Sequence, residues 1–89
     1  MDKRADYGEA ANNLALVLFA RGEADKALGV LQKLLQVNPG FEMGYVTMCR
    51  IYLKTGRRQE GAQVLEQLLR RNPTHPLAQE LMQQIRAGG

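Results

Sequence analysis

The chain has 89 residues, 45% hydrophobic and 24% charged, with twelve Lys and Arg against nine Asp and Glu for a net charge of +3. This length allows one small domain with a thin core, and the composition is that of a folded chain rather than a disordered one. A single cysteine excludes an internal disulfide framework and a cysteine-based zinc cluster, and no apolar run is long enough to span a membrane. The N-terminus lacks the apolar core of a signal peptide, so the default location is the cytoplasm, although a piece of a longer exported protein would read the same.

Residues 1–6 read as a lead into the first element. From about Tyr7 to Ala20, the small and apolar residues Ala11, Leu14, Ala15, Leu18 and Phe19 recur at helical spacing. Gly22 interrupts this pattern, and Ala27, Leu28, Leu31, Leu34 and Leu35 mark a second helical stripe over Glu23 to Val37. Asn38-Pro39-Gly40 ends it, because proline cannot continue a helix and glycine permits dihedrals other residues avoid. A third helix is predicted over Glu42 to Lys54, a turn at Gly56, a fourth helix over Arg58 to Arg71, and a second stop at Asn72-Pro73. Pro76 suits the first turn of a fifth helix running to Ala87, where its missing N–H is not wanted. Leu77, Leu81, Met82 and Ile85 share one face of that helix, and the tail 88–89 is expected to fray. Strand alternation is sustained nowhere.

The first four elements are one pattern written twice. A shift of 34 residues places Gly22 on Gly56, Val30 on Val64, Leu31 on Leu65, Leu34 on Leu68, Leu35 on Leu69, and Asn38-Pro39 on Asn72-Pro73. Character is also kept where identity is not, pairing Tyr7 with Phe41, Leu14 with Met48, Ala15 with Cys49, Val17 with Ile51 and Leu18 with Tyr52. A fixed period of this size is the mark of stacked supersecondary units that cannot bury their apolar faces alone. The fifth helix then reads as a solvating half-unit that covers the last hairpin.

This register resembles the tetratricopeptide repeat (TPR) family, with one unit at 8–41, a second at 42–75 and a capping helix at 76–87. The family positions of the first helix fall on Ala11, Leu14-Ala15 and Leu18, then on Tyr45, Met48-Cys49 and Tyr52. Those of the second helix fall on Ala27, Leu31 and Leu34, then on Gly61, Leu65 and Leu68, and the closing proline is Pro39 and Pro73. Ala11 stands where the family favours a large aromatic, and Leu34 and Leu68 stand where it has alanine. The resemblance implies a single all-α domain over 7–87, a right-handed superhelix of two helix hairpins and a cap. Independently of the family, the small residues Ala15, Ala27, Cys49 and Gly61 belong at close helix crossings, so enlarging Ala27 or Gly61 is expected to cost roughly 1–3 kcal/mol through overpacking.

Residues with chemical potential are few and scattered. His75, the only histidine, precedes the last helix and reads as a turn or capping residue. Cys49 reads as a buried small hydrophobe. There is no serine for a serine-based triad, and the turn glycines form no phosphate-binding loop. No catalytic residue, metal site, cofactor or small-molecule substrate is expected. Arg50, Lys54, Arg57 and Arg58 gather near the end of the third helix and its turn, and Arg70-Arg71 lies at the next helix end, where cations favour the helix dipole. With no aromatic platform among them, nucleic acid is not the expected partner.

What the resemblance implies instead is a non-catalytic module that binds a protein or peptide in its concave groove. The groove positions correspond to Glu9, Asn12, Asn13, Leu16, Phe19 and Ala20 in the first unit and to Met43, Val46, Thr47, Arg50, Leu53 and Lys54 in the second. Leu77, Glu80 and Gln84 come from the cap. Leu16, Phe19, Met43, Val46 and Leu53 would anchor apolar side chains, and Arg50 and Lys54 would hold an acidic group. The carboxylate clamp of some family members is incomplete: Asn13 matches one of its positions, but Val46 and Thr47 stand where cations would be needed. The alternative is a homo-oligomerising scaffold unit, or part of a longer repeat array, docking through the uncapped outer side of the first helix at Tyr7, Ala11, Leu14 and Leu18.

Overall fold

A computed structural model describes the backbone of residues 3–88 and the side chains of residues 7–88. It contains five helices: α1 (Lys3–Ala20), α2 (Ala24–Val37), α3 (Glu42–Lys54), α4 (Arg58–Arg71) and α5 (Pro76–Gly88), with no strand among the described residues. The pairs α1–α2 and α3–α4 form hairpins, α2 and α1 both pack on α3, and α4 packs on α5. This is the expected order of two hairpins and a terminal helix. Three boundaries differ: residues 3–6 of the expected lead already belong to α1, α2 starts at Ala24 rather than Glu23, and Gly88 closes α5, its carbonyl accepting a hydrogen bond from Arg58 Nη1 at 2.9 Å. Gly89 lies outside the described residues.

The two hairpin turns are chemical copies. At the first, the Glu23 N–H donates to the Leu18 carbonyl at 2.9 Å and the Gly22 N–H to the Phe19 carbonyl at 3.0 Å. At the second, Arg57 N–H donates to Tyr52 at 2.7 Å and Gly56 N–H to Leu53 at 3.2 Å. This paired bonding satisfies the last carbonyls of a helix but requires a left-handed residue between them. Gly22 supplies it at φ +84° and Gly56 at φ +78°. Gly40, expected to use the same freedom, does not: no other positive φ occurs among the described residues. Gly56→Ala is accordingly expected to lose about 1–2 kcal/mol, the strain of a Cβ in the left-handed region, measurable as a lowered urea midpoint.

The core repeats as the turns do. Ala15 and Cys49, Leu31 and Leu65, and Leu34 and Leu68 are each fully buried, as is Ala27, and Gly61 at the equivalent seat is buried. The leucines that depart from the family pattern are thus accommodated inside. At Gly61 the expected overpacking holds only for side chains larger than alanine. A Cβ there would meet the Cys49 carbonyl and the Leu53 and Tyr52 side chains at 3.5 Å, ordinary contact distances. Gly61→Ala is therefore expected to raise stability by about 0.5–1 kcal/mol, by removing the entropy penalty of glycine within a helix; thermal denaturation reads the sign.

α3 is the central helix, contacted by α1, α2 and α4, and eight of its thirteen residues are buried. That position corrects two expected groove residues. Val46 is 1% exposed and belongs to the core, where α3 is packed between its neighbouring helices. Thr47 is buried as well.

Candidate functional site

In the C-terminal half of α3, Ile51 and Tyr52 are buried while one side stays open. Arg50 and Lys54, one turn apart, are exposed and flank the half-buried Leu53. Facing them, α5 presents Leu77, Glu80, Leu81 and Gln84, and the two helices enclose an open hollow of about 380 Å³. Six residues assigned to the groove from sequence therefore meet in one place: Arg50, Leu53 and Lys54 from the second unit, and Leu77, Glu80 and Gln84 from the cap. Among the described residues neither Arg50 nor Lys54 has a carboxylate within 4.0 Å. The hollow thus combines leucine side chains with two unneutralised cations.

The remaining groove assignments are more dispersed. Leu16 and Met43 are exposed and Asn13 is solvated, whereas Phe19 is half-buried against the core. Asn12 is half-buried, and its Oδ1 is enclosed with no hydrogen-bond partner among the described residues. On the outer side of α1, Tyr7 and Leu14 are exposed as expected. Ala11 is instead buried and Leu18 half-buried against the core, so both leave the set of docking residues.

A larger hollow of about 430 Å³ escaped the sequence reading. It is lined by Gln32 and Gln36 of α2 and by Gln63 and Gln67 of α4, over Tyr45, Met48 and Tyr52. Its floor offers little contact area, since the two tyrosines and the methionine are at most 6% exposed. Scattered surface glutamines carry no sequence signal, because their meeting depends on how α2 and α4 align.

The other polar residues serve the fold. His75 Nδ1 accepts from the Ala78 N–H at 3.3 Å, capping α5, while Nε2 lies 3.5 Å from Glu42 at the start of α3. Arg57 donates twice to Glu60 at 2.8 Å and lies 5.0 Å above the Tyr52 ring. The hydrogen bonds from Arg57 hold the Glu60 carboxyl below its ordinary range. Together with the Arg58 bond to Gly88, these contacts commit the basic run after α3 to structure.

Cys49 is fully enclosed, and burial pushes its thiol up to about 11 against the opposing pull of Arg50. Raised above its unfolded value of about 9, this group favours the fold below pH 9, and its contribution declines as pH rises through 9 to 11. Native protein at pH 8 is expected to resist a thiol-specific reagent that reacts promptly once urea is added; rapid native-state labelling would contradict this burial.

A tetratricopeptide repeat family model matches residues 18–85. The chain belongs to the tetratricopeptide repeat family. With it come relatives of known description: a photosystem I assembly protein from Prochlorococcus marinus is 40% identical over 60 residues, covering 65% of this chain and 35% of the relative. One from a Synechococcus strain is 38% identical over 55 residues, covering 62% of this chain and 32% of the relative. The chain thus spans about a third of the length of these curated relatives. No solved structure matches it significantly. In general terms the family assignment marks the chain as a protein-interacting repeat module. Among the described residues no three His, Cys, Asp or Glu side chains gather as a metal site requires, and no helix is long and apolar enough to cross a membrane.

Proposed function

We propose that this TPR module binds an acidic peptide segment of a partner protein in the hollow between α3 and α5. The observation that carries the reading is the pairing of two uncommitted cations, Arg50 and Lys54, with the apolar surface of Leu53 and Leu77 in one concavity. Leucine contacts provide desolvated area, and the cations select a carboxylate-bearing segment over a neutral one. Glu80 on the opposite wall gives the site a polarity: it accepts a hydrogen bond from a backbone N–H or side-chain donor of the bound segment. The likeness to photosystem I assembly proteins supports a role in holding one protein while a larger complex is put together.

The test is fluorescence anisotropy with two labelled peptides that differ only in Glu against Gln, each carrying a leucine beside the acidic positions. The Glu peptide is expected to bind more tightly, with an affinity that falls as salt is added. Equal affinity for the two peptides would remove Arg50 and Lys54 from recognition.

A further inference from the structure

The larger hollow has a lining of its own chemistry. Gln32 and Gln36 on α2 and Gln63 and Gln67 on α4, all exposed, border a space of about 430 Å³ over the buried floor of α3. It is built from these three helices alone, so neither end of the chain takes part in it. The repeat does not account for the amides. Thirty-four residues away the same positions hold Glu66, Arg70, Gly29 and Lys33, so at these positions amides stand only where α2 and α4 line this hollow. Among the described residues none of the four side chains is hydrogen-bonded.

This lining selects among ligands. No Lys or Arg lines the hollow among the described residues, and its one carboxylate, Glu60, already accepts two hydrogen bonds from Arg57, so charge draws nothing in. A planar ring would need an aromatic face to stack on, but Tyr45 is buried and Arg57 sits over the Tyr52 ring. A helix arrives with its backbone groups bonded to one another and docks through apolar surface, which buried Tyr45, Met48 and Tyr52 do not offer. An extended segment has the opposite needs. Its backbone N–H and C=O groups are unpaired, and each glutamine amide supplies two donors and an acceptor together.

We propose that the α2–α4 hollow is a second peptide site, which takes an extended, uncharged segment of a partner protein by its backbone. The spacing fits. Residues four apart on a helix have Cβ atoms about 5–6 Å apart, and alternate residues of an extended strand repeat along one edge at about 6.5–7 Å. Gln32 and Gln36 therefore serve residues i and i+2 on one edge of the segment, and Gln63 and Gln67 serve i+1 and i+3 on the other. Main-chain bonds of this kind provide the affinity, and the closed floor provides the selectivity, because it admits only small side chains such as alanine or serine at the inward positions. The α3–α5 hollow is cationic and this one is neutral, so the two hold different segments.

Titration of the isotopically labelled chain with an acetylated, amidated peptide of alternating threonine and alanine tests this by NMR. Binding in the millimolar range is expected, with the side-chain amide resonances of Gln32, Gln36, Gln63 and Gln67 moving together while Arg50 and Lys54 stay in place. The same peptide N-methylated at alternate backbone nitrogens keeps its side chains but loses the donors along one edge, and should bind at least about tenfold more weakly. Gln36→Met with Gln67→Met keeps side-chain length and helix propensity while deleting two amides, and should weaken the peptide by about the same factor. Arg50→Glu with Lys54→Glu should bind it as the parent does, so loss of the acidic-peptide site leaves this result intact. An absence of binding at millimolar peptide overturns the proposal, as does equal affinity for the N-methylated peptide or shifts centred on α5. If the methionine variant fails to fold, the parent's titrations with the two peptides decide alone.

Discussion

Leu65→Ala is expected to lower the unfolding free energy by about 2–5 kcal/mol, enough to leave much of the chain unfolded without denaturant. Leu65 is fully buried at the centre of α4, in the cluster that joins the second hairpin to its neighbours. Removing its branched end forfeits the transfer free energy of the lost carbons and adds the cost of a cavity that close-packed helices cannot collapse. A domain this small has little reserve, since total stability runs at about 0.05–0.15 kcal/mol per residue. Leu31→Ala at the equivalent seat, also fully buried, should lose a similar amount. Leu14→Ala, at a half-exposed position, should lose much less. Urea midpoints at unchanged slope provide the measurement. A Leu65→Ala variant as stable as the Leu14→Ala variant would contradict the placement of Leu65 in the core.

Reversing the charge at both groove cations carries the second large effect. Arg50→Glu with Lys54→Glu exchanges attraction for repulsion at two solvent-facing positions, and the fold should be unaffected because both side chains project from α3. Exposed charge pairs each contribute a fraction of a kcal/mol to about one, so losing two attractions and gaining two repulsions should weaken an acidic peptide by about ten- to a hundredfold. The parent's affinity should fall as salt is added, and the variant's should rise or stay level as its repulsion is screened. Unchanged affinity in a variant with parental thermal stability would assign binding to another face.

Much of the fold was legible in the sequence because its signals are local. The bounds of α3 and α4 coincide with the prediction, since Gly56 demands a left-handed turn and Asn38-Pro39 and Asn72-Pro73 stop helices wherever they stand. α1 begins earlier than expected because nothing in Lys3-Arg4-Ala5-Asp6 forbids helix. The site was legible only in part. Arg50, Leu53, Lys54, Leu77, Glu80 and Gln84 line one hollow. Val46 and Ala11 did not remain at the surface, because their exposure depends on how neighbouring helices cross, which a period in one chain does not record. Val17 was paired with Ile51 by the 34-residue shift, yet its exposure emerges only when the first helix is found with its outer side uncovered. The glutamines lining the larger hollow belong to no repeat position shared between α2 and α4, so spacing alone could not join them.

Chemical-shift mapping tests the central claim most directly. Titration of the acidic leucine-bearing peptide into labelled protein is predicted to move the Arg50, Leu53, Lys54, Leu77 and Gln84 resonances together, leaving Gln32, Gln36, Gln63 and Gln67 in place. Shifts centred on those four glutamines, with the α3–α5 hollow unmoved, would contradict it.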